Sequence, residues 1–245
     1  MTSRIIKPNE IHLWYQKLDP RISPSLTRAH LEALPDHERE KYFSFLVAPK
    51  KLEYLLTRTL VRKVLSNYSD VSPNQWRFEA NTYGRPHVAF PKLELPIQFN
   101  LSHCHGLAVC AVALDSELGV DVEYVNDTGD LLKLAEHNFS DPEIAALQAL
   151  PPKEQAARFY QYWTLKEAYL KARGIGLSLS VQKFSFHIKP GEPIGFTIQP
   201  GLDPNPQAWR FSHMNISENH QLALAIRKKQ DSKLQIIETW ESLAA

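Results

Sequence analysis

Asp121 and Glu123 interrupt a stretch, Leu118 to Tyr124, that is otherwise apolar or small and follows closely on the apolar run Leu107 to Leu114. Side chains alternate across a β-strand, so acids at i and i+2 project from one face. Because the preceding strand and Gly119 are apolar or small, the two acids emerge from a buried strand rather than from a polar surface. Two bare carboxylates so placed repel each other and hold one pKa up, a conflict that a divalent cation resolves. Without such a cation the pair is an ordinary acidic strand end. About forty residues on, Trp163-Thr164-Leu165-Lys166-Glu167-Ala168-Tyr169-Leu170-Lys171 has helical periodicity and sets Glu167 and Lys171 four apart on one helix face. That spacing alone fits an i, i+4 salt bridge of roughly 0.3 to 0.5 kcal/mol. Trp163, Leu165, Tyr169 and Leu170 are nevertheless too apolar for a fully exposed helix, so the charges share space with a core or a cleft. Together the clusters offer hard oxygen ligands and a cation, as for magnesium and a phosphate ester.

Composition narrows the classes. The 245 residues, 43% hydrophobic, suffice for a substantial core in one domain or two compact halves. With 28 Lys+Arg against 27 Asp+Glu, the net charge of +1 lacks the basic footprint of a nucleic-acid-binding protein. No apolar run approaches the roughly 20 residues of a membrane helix. Arg4, Lys7 and Glu10 are followed by no apolar segment of signal-peptide type, so the expected location is the cytoplasm. Cys104 and Cys110, the two cysteines, are too few for a disulfide framework or a structural zinc site and are expected to be reduced and buried.

Glu10–Leu18 reads as a first strand and Pro24–Leu46 as a helical region broken at Pro35. Lys50–Tyr68 reads as a long helix with Lys51, Arg58 and Arg62 on one stripe, either a solvated face or a site. Short strands are expected at Trp76–Ala80 and Ile97–Leu101, with a turn at Asn81–Pro86 pivoting on Gly84, then strands at Ala108–Leu114 and Leu118–Tyr124. The chain turns helical after Asp127, with a helix start at Ser140-Asp141-Pro142-Glu143 capped by Asp141. A second helix spans about Lys153–Arg173 and stops at Gly174. Strands follow at Lys183–Lys189, Ile194–Gln199, Ala208–His213 and Leu222–Arg227, with Gly201–Gln207 as a surface loop. Helices followed by strands thus occur before residue 116 and again after it. The expected fold is α+β, as two similar α/β halves in a pseudo-two-fold arrangement, residues 1–116 and 117–245.

Between the acidic clusters lie Tyr83-Gly84-Arg85-Pro86 and Phe99-Asn100-Leu101-Ser102-His103. Neighbouring residues on a strand face opposite ways and no Gly-x-Ser-x-Gly elbow exists, so Ser102 and His103 are not two members of a hydrolase triad. His103 and His105 lack a third soft ligand for a transition metal. A hydroxyl and an imidazole at a strand end serve better as phosphate contacts.

In order and spacing these four motifs resemble the 4'-phosphopantetheinyl transferases, specifically the larger monomeric type named after the surfactin-synthetase activator. The resemblance extends weakly from about Pro35 to Phe186. It implies a magnesium-dependent transfer of the phosphopantetheine arm of coenzyme A to a serine of an acyl or peptidyl carrier protein, releasing 3',5'-ADP. It also implies a monomer whose active site lies between the halves, the first contacting coenzyme A and the second the metal and the carrier. Asp121, Glu123 and Glu167 match the magnesium ligands, and Asp121 is carried over as a coenzyme A contact as well. Lys171 matches the lysine near the pyrophosphate, and Ser102 and His103 the phosphate contacts. Arg85 stands where the family often has Lys, keeping the charge but changing the donor geometry. Arg58 and Lys41 match phosphate-binding positions more loosely. Glu143 matches an acid proposed as the general base, although a Glu in a helix's first turn is favoured by the helix dipole alone; Glu167 is the other candidate. A magnesium-dependent phosphodiesterase or pyrophosphatase would use the same acids with water as nucleophile, and a non-catalytic module would bind carrier without turnover. The carrier could belong to fatty-acid, polyketide or nonribosomal-peptide synthesis.

Overall fold

The computed structural model describes residues 4–126, 129–227 and 233–242. Chain order is β1 (Glu10–Lys17), α1 (Pro24–Glu32), α2 (Asp36–Ser44), α3 (Ala48–Ser66), β2 (Arg77–Ala80), β3 (Pro86–Phe90), β4 (Ile97–Cys104) and β5 (Leu107–Leu114). There follow β6 (Leu118–Tyr124), α4 (Leu131–Asn138), α5 (Asp141–Gln148), α6 (Pro152–Arg173), β7 (Phe184–His187), β8 (Gly195–Ile198), β9 (Trp209–Ser217), β10 (His220–Arg227) and β11 (Gln235–Glu241). The mixed α+β class is as expected. Among the described residues no helix is long and apolar enough to cross a membrane.

The chain forms two compact units, Met1–Asp115 with Ser232–Ala245, and Ser116–Asp231. The last strand therefore does not belong with residues 117–231 as the sequence suggested. β11 pairs in parallel with β1, from Glu10 opposite Gln235 to Gln16 opposite Glu241. Its mixed composition, with Gln235, Glu238, Thr239 and Glu241, gives no alternation strong enough to announce a strand.

In the first unit the sheet order is β11-β1-β5-β4. β1 lies between two neighbours and is buried over nearly its whole length, which explains its loose alternation. α3 lays Leu56, Leu60, Val61, Val64 and Leu65 into one core with Trp14, Phe99, Cys110 and Val112. Arg62 is not part of a solvated stripe: it is buried, with its guanidinium 2.8 Å from Glu38 of α2. β2 and β3 make a hairpin whose turn holds Gly84 at φ +85°, while the Asn81 side chain accepts from the amides of Tyr83 and Arg85, both at 2.9 Å. β3 has no counterpart in the sequence reading. Cys104 is half-buried and Cys110 buried, and both are free thiols.

In the second unit the sheet order is β6-β10-β9, with β7 and β8 as a separate hairpin. α6 ends where Gly174 enters the left-handed region at φ 61°, its amide bonding the carbonyls of Leu170 and Lys171 at 3.0 and 3.2 Å, as a glycine helix cap does. Tyr169 of α6 packs against Phe184, Phe196 and Trp209. Of these rings Tyr169, Phe184 and Trp209 are buried, each contributing roughly 1.5 to 3 kcal/mol. The cap of α5 is Ser140 rather than Asp141, in a reciprocal capping box with Glu143. Gly201–Gln207 is more than a surface loop. Asp203 is buried there and accepts from Tyr169 Oη at 2.8 Å, Trp209 Nε1 at 2.8 Å and Arg173 Nη1 at 3.0 Å.

Gly119 sets the spacing between β6 and α6. A Cβ there would lie 2.0 Å from the Ala168 carbonyl oxygen and 2.4 Å from the Ala172 amide nitrogen. Both atoms belong to helix backbone and cannot swing aside. Gly119→Ala is therefore expected to destabilise the protein by about 1 to 3 kcal/mol or more through overpacking, read as a lower denaturation midpoint by tryptophan fluorescence; an unchanged midpoint would show that helix and strand can part freely.

Candidate active site

The strand's period of two and the helix's step of four meet in the second unit. Leu118, Val120 and Val122 are fully buried and alternate with Gly119, Asp121 and Glu123. The latter three engage α6 in turn: Gly119 touches Ala168 and Ala172, Asp121 Oδ1 accepts from Lys171 Nζ at 2.6 Å, and Glu123 Oε1 accepts from Trp163 Nε1 at 3.3 Å. Helix and strand thus run antiparallel, with Trp163, Glu167 and Lys171 spaced along one helix face.

Asp121 is only 3% exposed, so its charge needs a nearby cation. Burial pushes the Glu123 carboxyl up to about 7, helped by the negative charge of Asp121 and opposed by Lys171. Glu167 is raised by burial first and by Asp121 second, again against Lys171. The three carboxylates and the ammonium therefore act on one another as a single cluster. Its chemistry, hard carboxylate oxygens in mutual repulsion, fits a divalent cation. The side chains do not form a ready-made ligand shell, since among the described residues no group of three or more His, Cys, Asp or Glu is arranged to hold a metal ion, and the Lys171 ammonium lies on Asp121.

Two family models divide the chain between them: "4'-phosphopantetheinyl transferase, N-terminal" matches residues 22–115, and "4'-phosphopantetheinyl transferase superfamily" matches residues 117–225. The 4'-phosphopantetheinyl transferase HetI of Nostoc sp. is 32% identical over 219 residues, 89% of this chain and 88% of that protein. The chain belongs to the 4'-phosphopantetheinyl transferase superfamily. The Bacillus subtilis transferase Sfp is similar at 32% identity over 70% of this chain and 79% of its own. The human L-aminoadipate-semialdehyde dehydrogenase-phosphopantetheinyl transferase is 25% identical over 84% of this chain and 71% of its own. The protein is accordingly a transferase.

The transferase's remaining candidate residues stand in the first unit on separate elements. Lys41 is exposed on α2, its ammonium 5.4 Å from the Phe45 ring centre. Arg58 of α3 lies over Tyr54 at 5.2 Å. Arg85 lines a cavity of about 490 Å³ with His87, Lys92, Leu93 and Phe99. On β4, Ser102 is buried whereas His103 is exposed, so the two point to opposite faces, and a joint contact with one phosphate would need the strand end to be approached edge-on.

Glu143 is placed differently from what a general base requires. Its side chain is fully buried against Lys166, 2.7 Å away. Oε2 accepts from the amide and hydroxyl of Ser140 at 3.0 and 2.8 Å, and Oε1 accepts from the Phe186 amide at 2.8 Å. Lys166 in turn donates to the carbonyls of Val181 and Phe184, each at 2.7 Å. This network ties α5, α6 and β7 together and leaves Glu143 no open face toward a substrate hydroxyl. Lys166 and Glu167, adjacent in sequence, serve the core and the acidic cluster respectively. The Lys166–Glu143 and Arg173–Asp203 ion pairs carry no signal in the sequence, because only tertiary neighbours reveal the pairing.

Glu143→Gln should cost about 3 to 5 kcal/mol of unfolding free energy, since it leaves Lys166 buried and uncompensated; an unchanged stability with a collapsed turnover would instead restore the base role. Glu123 gives a pH signature. Its folded-state pKa of about 7 exceeds the ordinary 4.5, so between those values the folded state binds more protons than the unfolded one. Stability contributed by this group is present at low pH and lost as pH rises toward 7. In chelator-treated buffer the stability difference between wild type and Glu123→Gln should shift across that window by denaturant titration, and a pH-independent difference would refute the assignment.

Proposed function

We propose that the protein transfers the 4'-phosphopantetheine arm of coenzyme A to a serine hydroxyl of an acyl or peptidyl carrier protein, releasing 3',5'-ADP, with magnesium as cofactor. The observation that carries this reading is the coupled set of Asp121, Glu123, Glu167 and Lys171 on β6 and α6, within a chain of this superfamily. Asp121, Glu123 and Glu167 would hold the magnesium ion, which when bound supplies neutralisation of charge on the pyrophosphate. Lys171 holds a phosphate oxygen by its flexible ammonium and stabilises charge on the departing 3',5'-ADP. Lys41, Arg58, Arg85, Ser102 and His103 contact the phosphates and nucleotide of coenzyme A. Glu167 is the better candidate for receiving the serine proton, because it belongs to the cluster while Glu143 is committed to Lys166 and Ser140. Most of the acceleration comes from positioning and electrostatics, as in other phosphoryl transfers.

Incubation with coenzyme A, magnesium and an apo carrier should add one phosphopantetheine group to the carrier by intact-mass spectrometry. Asp121→Ala should lower the rate by at least about 100-fold, in keeping with loss of a principal electrostatic group. Release of phosphopantetheine from coenzyme A with no carrier present would identify a hydrolase instead, and binding of carrier with no turnover would identify a non-catalytic module.

A further inference from the structure

We infer that Phe45 and Tyr54 are positioning residues for the donor: their paired rings hold Lys41 and Arg58 in place with both charges uncancelled, for the 3'-phosphate monoester of coenzyme A. This rests on the reading of coenzyme A as the substrate. The geometry is a ladder across the joint between α2 and α3. The Lys41 ammonium stands 5.4 Å from the centre of the Phe45 ring, the Phe45 and Tyr54 rings are 5.4 Å apart at 47°, and the Arg58 guanidinium lies 5.2 Å from the Tyr54 ring. Beside the ladder, the Lys51 ammonium stands 5.8 Å from the Tyr42 ring. Lys51, Tyr54 and Arg58 fall at i, i+3 and i+7 of α3, which is one face of the helix. Lys41 reaches Phe45, the residue that ends α2, from four positions back.

An aromatic face attracts a cation without cancelling its charge, whereas a carboxylate neutralises what it holds. The difference matters here because the carboxylates of this joint are used elsewhere. Asp36 pairs with Arg39, Glu38 with Arg62 and Glu53 with Lys50, which leaves Glu40, exposed on α2, against the charges of Lys41, Lys51 and Arg58. That surplus of positive charge suits a phosphate monoester, which is a dianion. Lysine and arginine lose much rotamer freedom when they clamp an anion, and a ring that already restrains the chain lowers that cost at the moment of binding. The joint itself is fixed one turn further along α3, where buried Arg62 pairs with Glu38 at 2.8 Å and donates to the Arg58 carbonyl at 3.1 Å. Arg62 thereby locks α2 onto α3, and the rings set where the remaining cations stand.

The test is binding of 3',5'-ADP and of 5'-AMP to the full chain by isothermal titration, without metal or carrier, so that it does not depend on turnover. Phe45→Leu and Tyr54→Leu should each weaken 3',5'-ADP about two- to fivefold, the order expected for loss of one cation–π contact. Both should bind 5'-AMP, which lacks the 3'-phosphate, as wild type does. Phe45→Tyr and Tyr54→Phe keep a ring and should retain wild-type affinity for 3',5'-ADP. In transfer from coenzyme A to an apo carrier, the Leu variants should raise KM for coenzyme A by the same factor with kcat retained, and the factor should vanish with 3'-dephospho-coenzyme A as donor. Equal weakening of both nucleotides would reduce the rings to a structural role and overturn the inference. So would unchanged 3',5'-ADP affinity in both Leu variants, or a wild type that does not prefer 3',5'-ADP to 5'-AMP. The expected losses in nucleotide binding, with no transfer to any carrier by wild type, would sink the transferase reading and leave the role of the rings standing.

Discussion

The closeness of β6 to α6 is the constraint on which the candidate site depends. Gly119 has no Cβ, and the backbone of α6 at Ala168 and Ala172 occupies the space one would need. This lets the helix lie directly on the strand, where the two residues following Gly119 on its face reach α6 as functional side chains. Asp121 meets Lys171 and Glu123 meets Trp163. A helix held off by even one methyl group would lengthen these contacts by amounts that matter for hydrogen bonds of 2.6 to 3.3 Å. The cluster is thus a consequence of backbone packing before it is a matter of side-chain chemistry.

Two further buried ionic networks hold α6 from its other sides. Lys166 reaches into the core to Glu143 and the carbonyls of Val181 and Phe184. Arg173 joins Tyr169 and Trp209 at the buried carboxylate of Asp203. Charges in such settings contribute little net stability when complete but are costly when half removed. What they give α6 is a fixed rotation about its axis. Lys166, Glu167 and Lys171 point to different places, and with Lys166 anchored inward, Glu167 and Lys171 are left for the acidic cluster.

Much of this is legible in the sequence. The alternation around Asp121 and Glu123, the helical spacing of Glu167 and Lys171, and the stop at Gly174 are local properties of the chain, and each appears in the structure where the sequence puts it. What was misjudged turns on partners distant in sequence. Arg62 stands on a stripe that the sequence leaves open between a solvated face and a site, and Glu38 draws it inside. Glu143 looked equally like a catalytic acid or a helix-start residue, and the capping box with Ser140 and the Lys166 ion pair favour the latter. Asp203 lies in a stretch that reads as a proline-rich surface loop, and β11, for which the sequence reading has no element, is a strand by virtue of its pairing with β1.

By itself the sequence determined which residues could share a face: the acids of one strand, the acid and base of one helix, and the family to which their ordered motifs belong. Period and spacing suffice for that because they follow from the geometry of a single element. Only the tertiary structure decided that strand and helix are in contact through Gly119, that Lys171 is engaged by Asp121, and that Lys166 and Glu143 are committed to the core. Those outcomes depend on which buried charge finds which partner once water is excluded, and that choice is made between elements rather than within them.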